Sequence, residues 1–483
     1  MKSINLTDSQ RRFFSLVSKA AFLNPFSKQR FELDLEIIGD KRQRPWRLVV
    51  PEVIKEVNSQ MMAIDKVGIA KIADFPADNQ PMMRNLFLFY IFHRFMDVFD
   101  KFIVRQSQNP AANLEVDFAD DVIGALISRG FSREFAVRCF SMFYQIRRGF
   151  YFIDRGLIGS SDAMRKLRCD LWNNIFTHDI EFYNEFLWDK MEDFSTLLLG
   201  PTGSGKGAAA AAIGRSGFIP YDMNRRQFKE NFMDAFVPIN LSQYAETLLE
   251  SELFGHTKGS FTGAVATHEG LFAMCSRHGS VFLDEIGDVS EQVQTKLLRV
   301  LQERSFSPVG SHKSVKFEGR VIAATNKSID ELRREGDFRD DFYYRLCSDT
   351  IIMPSLAQRV SEDGSELTDM ITHLVRRIAG DDSKRLCDIV KEVIDKNLGA
   401  DYYWPGNVRE LEQCVRRVII KRDYSPQALQ MQKNGDVFAQ NLPVLELLSQ
   451  YCTYLYNIHK NFEKVARITN LDRRTVKKYV EMG

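Results

Sequence analysis

At 483 residues, with 44% hydrophobic and 27% charged side chains, the chain has an ordinary globular composition and is too long for one core, so roughly two to four domains are expected. A formal net charge of +1 excludes a molecule-wide field for nucleic acid and leaves any DNA contact to a local patch. The seven cysteines form no C-x-x-C pair and have no histidine at metal spacing, which argues against a disulfide framework or zinc module and reads as reduced thiols of a cytoplasmic protein.

The first residues, Met1 to Asp8, lack the apolar core of a signal peptide. The most apolar run, Leu86 to Phe92, is interrupted by His93, Arg94, Asp97 and Asp100 well short of the roughly 18 residues a membrane span needs, so no membrane association is expected. Phe31, Leu33, Leu35 and Ile37 alternate with Glu32, Asp34 and Glu36; with the Gly39-Asp40 turn and the run Trp46-Arg47-Leu48-Val49-Val50, they predict a β-hairpin. Beyond it the period becomes helical. Phe92, Phe95, Met96, Phe99, Phe102 and Ile103 share one helical face, and Ser132 reads as the N-cap of a helix through Phe135, Cys139 and Phe143. Residues 1–150 are therefore expected to form a mixed α/β or mostly helical module, with the aromatic stripe serving as core rather than as a ligand box.

Leu197-Leu198-Leu199 predicts a short buried strand, and Gly200-Pro201-Thr202-Gly203-Ser204-Gly205-Lys206 follows it as a P-loop. Its glycines let backbone N–H groups turn onto phosphate oxygens, the next helix aims its positive end at them, and Lys206 reaches the β- and γ-phosphates. Gly207 stands where the strict motif carries a Ser or Thr for Mg²⁺. Val281-Phe282-Leu283-Asp284-Glu285 is an apolar strand ending in two carboxylates, with Asp284 suited to the Mg²⁺ shell and Glu285 to orienting the attacking water. Phe236-Val237-Pro238-Ile239-Asn240 predicts another strand, whose terminal amide either holds Glu285 or caps the following turn. Leu297, Leu298, Val300 and Leu301 mark an amphipathic helix, and Phe306 to Gly310 a turn. The strand Arg320 to Asn326 ends in Thr325 and Asn326, placed to sense a γ-phosphate at the edge where doubly wound sheets bind ligands.

Further on, Phe338 to Leu346 carries Arg339 and Arg345, and Ser365 to Leu398 is helical by pattern. Trp404-Pro405-Gly406-Asn407-Val408-Arg409-Glu410-Leu411 breaks and restarts a helix, with Asn407 a cap. A polar linker with Ser425-Pro426 and Lys433 to Asp436 leads to two helices around the turn Thr469-Asn470-Leu471, a helix-turn-helix pattern. Val465, Ala466, Leu471 and Val476 would be its core; Arg473, Arg474, Thr475, Lys477 and Lys478 would face DNA.

From Arg155 to the end, about two thirds of the chain, these strings resemble the bacterial enhancer-binding proteins, AAA+ ATPases that activate sigma-54 RNA polymerase. Glu250 to Ala264 contains the loop Gly259-Ser260-Phe261-Thr262-Gly263-Ala264, similar to the family's GAFTGA with Ser260 in place of Ala. Ile158, Gly159, Ser160, Ala163, Met164 and Leu167 match the segment that opens the family's ATPase domain, which places Ile158 near the adenine; the stretch Thr177 to Asp193 is longer than the usual spacer and reads as an extra surface helix or a contact for the N-terminal module. The resemblance implies an α/β AAA+ P-loop ATPase with a helical lid at 156–355 and 356–424, an N-terminal regulatory domain at 1–150 with an unknown signal, a linker at 425–440 and an all-α Fis-like helix-turn-helix domain at 441–483. It further implies ATP and Mg²⁺, sensor roles for Thr325, Asn326 and Arg409, a second loop near Pro308 supporting the first, and Arg339 and Arg345 acting in the site of a neighbouring subunit, worth roughly 10³–10⁵ in rate. Partners would be sigma-54 polymerase at Gly259 to Ala264, upstream double-stranded DNA, and copies of the chain in a hexameric or heptameric ring in the cytoplasm at the nucleoid. The rival readings are a DNA-binding regulator whose nucleotide site only controls assembly, and a remodeller of another target.

Overall fold

The computed structural model describes residues 4–40, 42, 45–110, 112–380, 383–399, 402–425, 444–459 and 461–482. The chain forms two compact units, Met1–Leu374 with Tyr403–Glu412, and Val375–Tyr402 with Gln413–Gly483. The linker expected at 425–440 lies, from Pro426 on, outside the described residues.

The first unit begins with seven helices: α1 (Asp8–Phe22), α2 (Lys28–Ile38), α3 (Trp46–Ile64), α4 (Gln80–Arg94), α5 (Met96–Gln108), α6 (Ala119–Ser128) and α7 (Arg133–Gly156). The hairpin expected over residues 31–50 does not form; α2 and α3 occupy it. Ser27 Oγ accepts from the Arg30 N–H, and Gly39, at φ 68°, ends α2 in the left-handed conformation. The buried positions of α2 are Arg30, Asp34 and Ile37, a helical spacing, with Arg30 Nε donating to Asp34 at 2.9 Å. The alternating Phe31, Leu33 and Leu35 are only half-buried on its flanks, so a two-residue period in apolar character concealed a helix seated on a polar pair. In α3, Val49, Val53, Val57 and Met61 are buried at every fourth residue. The aromatic stripe after Leu86 is shared between α4 and α5, which break at Phe95. Ser132 caps α7 as expected, accepting from the Phe135 N–H at 3.3 Å.

These helices pack around one aromatic core, in which Phe102, Phe118, Phe140, Tyr144 and Phe228 meet edge-on or stacked. Ile219, Tyr221, Phe228 and Phe232, from far along the chain, belong to this same core. α7 runs through residue 150 unbroken and packs on α8 (Asp162–Phe176).

Next comes a parallel five-stranded sheet of β1 (Thr196–Leu199), β2 (Phe236–Asn240), β3 (Ser280–Asp284), β4 (Arg320–Thr325) and β5 (Asp349–Ile352), in the order β2-β3-β4-β1-β5. β4 is buried at every position, as a parallel strand covered on both faces must be. The register pairs Asn240 with Asp284, Asp284 with Ala324, and Leu199 with Thr325, so the strands finish along one edge. Helix α9 (Lys206–Gly214) follows β1, α10 (Glu246–Phe254) follows β2, α11 (Glu291–Glu303) follows β3, and α12 (Asp340–Leu346) precedes β5.

Four helices follow the sheet, as expected of a lid: α13 (Leu356–Glu362), α14 (Glu366–Ala379), α15 (Lys384–Asn397) and α16 (Asn407–Lys421). In the second unit, α17 (Val444–His459), α18 (Phe462–Thr469) and α19 (Arg473–Met482) close over Cys452, Leu455, Val465 and Val476, with Ala466 and Leu471 partly buried against them. Asn470, at φ 54°, makes the left-handed turn between α18 and α19. Among the described residues, no helix is long and apolar enough to cross a membrane.

Candidate active site

The shared strand edge gathers the polar groups predicted from sequence. Gly203 and Gly205 adopt φ 76° and 100°, which turns the P-loop backbone back toward the start of α9. A Cβ at Gly203 would lie 2.3 Å from the Gly406 carbonyl oxygen, so glycine here admits the Trp404–Leu411 turn against the P-loop. Lys206 Nζ donates to the carbonyls of Gly200 at 2.9 Å and Pro201 at 3.3 Å. Burial lowers its pKa, and the nearby Glu285 and Asp284 pull it back up. Ser204 Oγ and Glu285 Oε2 are buried with no hydrogen-bond partner among the described residues, an arrangement that is costly unless a ligand supplies one. Glu285 sits at φ 57° directly after β3, strained backbone of the kind that clusters at reacting centres.

Of the two arrangements expected of Asn240, the structure shows the cap. Its Oδ1 accepts from the Ser242 N–H and hydroxyl, capping the turn after β2, while its Nδ2 points at Asp284 Oδ2, 3.5 Å away, rather than at Glu285. Asn326 Nδ2 donates to Thr202 Oγ1 at 2.8 Å, which joins the end of β4 to the P-loop tip. Thr325 is buried; its carbonyl accepts from the Gly200 N–H and its hydroxyl oxygen from the Lys327 N–H. Pro201 and Gly207 complete the cradle, and nothing stands within 4 Å of where a Gly207 Cβ would be.

The loop Gly259 to Ala264 closes on itself: the Gly259 N–H donates to the Ala264 carbonyl at 2.9 Å and the Ala264 N–H to the Phe261 carbonyl at 3.0 Å. Ala264 is buried, whereas Thr262 and Gly263 are exposed and Phe261 is 38% exposed with its ring 4.9 Å from that of His256. The turn through Pro308 backs this loop, since the Thr257 N–H donates to the Val309 carbonyl at 3.1 Å and the Val309 N–H to that of Gly255 at 2.9 Å.

Residues 184–352 match the model of the Sigma-54 interaction domain, and residues 362–433 that of the AAA+ ATPase lid domain. A Sigma-54 interaction domain followed by an AAA+ lid is thus what these residues match. The chain is similar to nitrogen fixation protein AnfA of Azotobacter vinelandii, 41% identical over 229 residues, which is 47% of this chain and 39% of that protein. It is also similar to regulatory protein AtoC of Escherichia coli, 34% identical over 275 residues, 56% of this chain and 53% of that one. The chain thus spans about half the length, or less, of these curated relatives. A crystal structure of NtrX from Brucella abortus in complex with ATP aligns at 20% identity and a TM-score of 0.42, over 80% of this chain and 86% of that chain.

Within the sigma-54 interaction domain the two candidate arginines differ. Arg339 donates to both oxygens of Asp341, at 3.0 and 2.8 Å, and to Glu291 at 3.1 Å. Arg345 is exposed, and among the described residues its one side-chain hydrogen bond is from Nε to the Leu301 carbonyl at 3.1 Å. At the lid, Asn407 Nδ2 donates to the Thr202 carbonyl at 3.0 Å and the Val408 N–H to that of Gly203 at 3.1 Å. Asn407 is therefore a stitch to the P-loop, and it sets the exposed Arg409 beside Gly203. The Ile158 carbonyl accepts from Arg359, whose Nε also donates to Glu366 at 2.6 Å in a buried ion pair. Glu366 in turn accepts from the N–H groups of Ser160 and Ser161 at 2.6 and 3.2 Å.

Sequence reasoning missed what lies behind the P-loop helix. The three successive carbonyls beyond the end of α9 are received by α7: Arg148 donates to Arg215 at 2.7 Å and to Gly217 at 2.7 Å, and Gln145 Nε2 to Ser216 at 2.9 Å. Arg148 is fully buried. The negative end of the α9 dipole thus faces a buried cation while its positive end faces the phosphate cradle. The segment Thr177 to Asp193 proves to be short helical turns joined to the N-terminal helices, with the Gln145 amide also donating to Tyr183 Oη at 2.8 Å. In the second unit, Arg473, Arg474, Lys477 and Lys478 are exposed along α19, and the Thr475 hydroxyl is engaged by Asp472 at the head of that helix.

Proposed function

We propose that the chain is a sigma-54-dependent transcriptional activator that binds upstream DNA and, as a closed ring, uses ATP hydrolysis to convert a sigma-54 polymerase closed complex into an open one. The observation that carries this reading is the placement, on one family-matched scaffold, of a strand-edge phosphate site and an exposed Phe-Thr loop backed by a second turn. The orphaned Ser204 Oγ and Glu285 Oε2 and the glycine cradle fit ATP with Mg²⁺. Asp284 and Ser204 would hold the metal, which when bound neutralises charge on the β- and γ-phosphates. The N–H groups of Gly203 to Lys206 would bind phosphate oxygens, with Lys206 leaving its two carbonyls for them.

Glu285 would orient the water that attacks the γ-phosphorus, with ADP leaving on the opposite side. Arg345, with donors to spare, suits the neighbouring subunit's site; Arg339 would first have to leave Asp341 and Glu291. Thr325, Asn326 and Arg409 would report the state of the nucleotide to the sheet and lid. Phe261 and Thr262 would touch sigma-54, and α19 would enter the major groove with Arg473, Arg474, Lys477 and Lys478. Domains at 1–150, 156–355, 356–424 and 441–483 serve as sensor, motor, lid and DNA reader.

Two variants test the reading together. Glu285→Gln should still bind ATP while hydrolysis falls about 10²–10⁴-fold. Thr262→Ala should hydrolyse ATP at the parental rate yet fail to open the promoter, and normal opening by this variant would refute the loop assignment.

A further inference from the structure

The N-terminal helices line an open-mouthed cavity of about 270 Å³, just below the roughly 300–1,000 Å³ of drug-sized sites. Its walls are largely aromatic and apolar, with Phe89, Phe92, Met142, Phe143, Phe150 and Trp172 prominent. Ile180 and Asn184, from the segment just before β1, also line it. A space this size lined by apolar side chains with a few polar groups is a form that small-molecule sites take.

The polar groups define what it would accept. Its guanidinium groups are already compensated: Arg30 by Asp34 at 2.9 Å, Arg147 by both oxygens of Asp100, and the exposed Arg47 by Asp154 at 3.1 Å. An ionised guest would lose its hydration and find no spare opposite charge. His93 is different. Its Nδ1 lies 2.8 Å from the Phe89 carbonyl, which can only accept, so Nδ1 carries the proton and Nε2 keeps a lone pair. Burial lowers the His93 pKa to about 3, so the ring is neutral near pH 7. No partner for Nε2 occurs among the described residues, although the ring lines the cavity. The His93 Nε2 acceptor, the Asn184 amide in the cavity wall, compensated charges and aromatic walls call for an uncharged, flat, mostly apolar molecule with a hydrogen-bond donor.

One helix carries both this cavity and the support of the P-loop helix. On α7, Met142, Phe143, Ile146, Arg147 and Phe150 face the cavity, while Gln145 and Arg148 hold the carbonyls after α9. Gly149 lies between: a Cβ there would come within 2.7 Å of the Phe176 ring, so α7 and α8 are in close contact at this level. A guest that shifts α7 must shift the groups that fix α9, because packed interiors move as units rather than deforming continuously.

We propose that this cavity binds a small, uncharged, largely aromatic molecule through a hydrogen bond to His93 Nε2, and that α7 makes its occupancy felt at the P-loop helix. The second half rests on the ATPase reading above; the first does not. The test uses the full-length chain and 1-naphthol, whose fluorescence reports binding, with 1-methylnaphthalene as the matched probe lacking a donor. 1-Naphthol should bind saturably at one site per chain without nucleotide. Met142→Trp, which fills the cavity, should weaken binding at least tenfold. His93→Phe, which keeps a ring in place, should cost 1-naphthol about fivefold and 1-methylnaphthalene nothing. Thermal unfolding confirms that each variant is folded, and His93→Phe carries the test if Met142→Trp is not. Absence of saturable binding, or binding indifferent to both substitutions, overturns the site. With the site occupied, ATP hydrolysis should change at least twofold in the parent and not in Met142→Trp; binding without that change overturns the coupling. A ligand-free protein that hydrolyses no ATP at all, yet binds 1-naphthol, would instead count against the ATPase reading.

Discussion

At the strand edge, polar groups stand ready: the Ser204 hydroxyl and one oxygen of Glu285 are buried without a hydrogen-bond partner among the described residues, beside the turned backbone of Gly203 and Gly205. In the helical cavity the charges are matched, Arg30 by Asp34 and Arg147 by Asp100, and His93 Nε2 has no partner among the described residues. The contrast teaches how each site selects its guest. A highly charged nucleotide is matched by uncompensated donors, whereas a neutral molecule needs a cavity whose own charges cancel. α7 and α9 join the two, so perturbing each in turn shows whether they are one machine.

The largest effect should come from the motor side. Arg345→Ala should lower steady-state ATP hydrolysis by about 10³-fold or more with nucleotide binding intact, as loss of a trans arginine does. Arg339→Ala should cost far less, because Asp341 and Glu291 hold that side chain within its own subunit. Equal losses would show that Arg339 changes partners on assembly and would erase the distinction.

An intermediate effect belongs to the junction. Arg148→Met leaves the buried carbonyls of Arg215 and Gly217 without a donor, and should lower stability by about 3 kcal/mol in urea unfolding. It should leave 1-naphthol binding intact while removing the effect of the probe on hydrolysis.

The smallest effect is a pH slope on the cavity side. An unfolded histidine titrates near 6.5, and burial holds His93 near 3 in the folded chain. Between those values the unfolded state binds the extra proton, so the contribution is complete above pH 6.5 and is lost as pH falls toward 3. It amounts to about 1.4 kcal/mol per pH unit at most. Urea unfolding at pH 7, 6 and 5 should show His93→Phe with a shallower decline than the parent, and identical slopes would contradict a neutral His93.

These regions also differ in how far the chain's order of residues revealed them. Gly200 to Lys206, Asn240, Asp284, Glu285, Thr325 and Asn326 each lie at the end of a short apolar run, and parallel register brings those ends together, so local pattern was enough. The partner of Asn240 was not legible, because a cap to Ser242 and a contact to Asp284 depend on side-chain rotation. The segment at Ile158 shows the same limit: its ties, Ile158 to Arg359 and Ser160 to Glu366, span some two hundred residues. In the helical region, α2 was misread as a strand because its buried face is a polar pair, and hydrophobic periodicity is silent about polar pairs. The aromatic stripe is core as its spacing implies, with Phe99, Phe102 and Ile103 buried, but that spacing does not show the cavity beside it. Phe92 and Phe143 pack against protein on one side and line open space on another, and nothing in their spacing distinguishes the two.

The central claim is that this chain couples ATP hydrolysis to promoter opening. The most direct measurement mixes the full-length protein with a sigma-54 polymerase closed complex on DNA carrying upstream sites, and follows strand separation with ATP or a non-hydrolysable analogue. The account predicts opening with ATP alone. Steady ATP hydrolysis without strand separation would contradict it and assign the exposed Phe261-Thr262 loop to a different target.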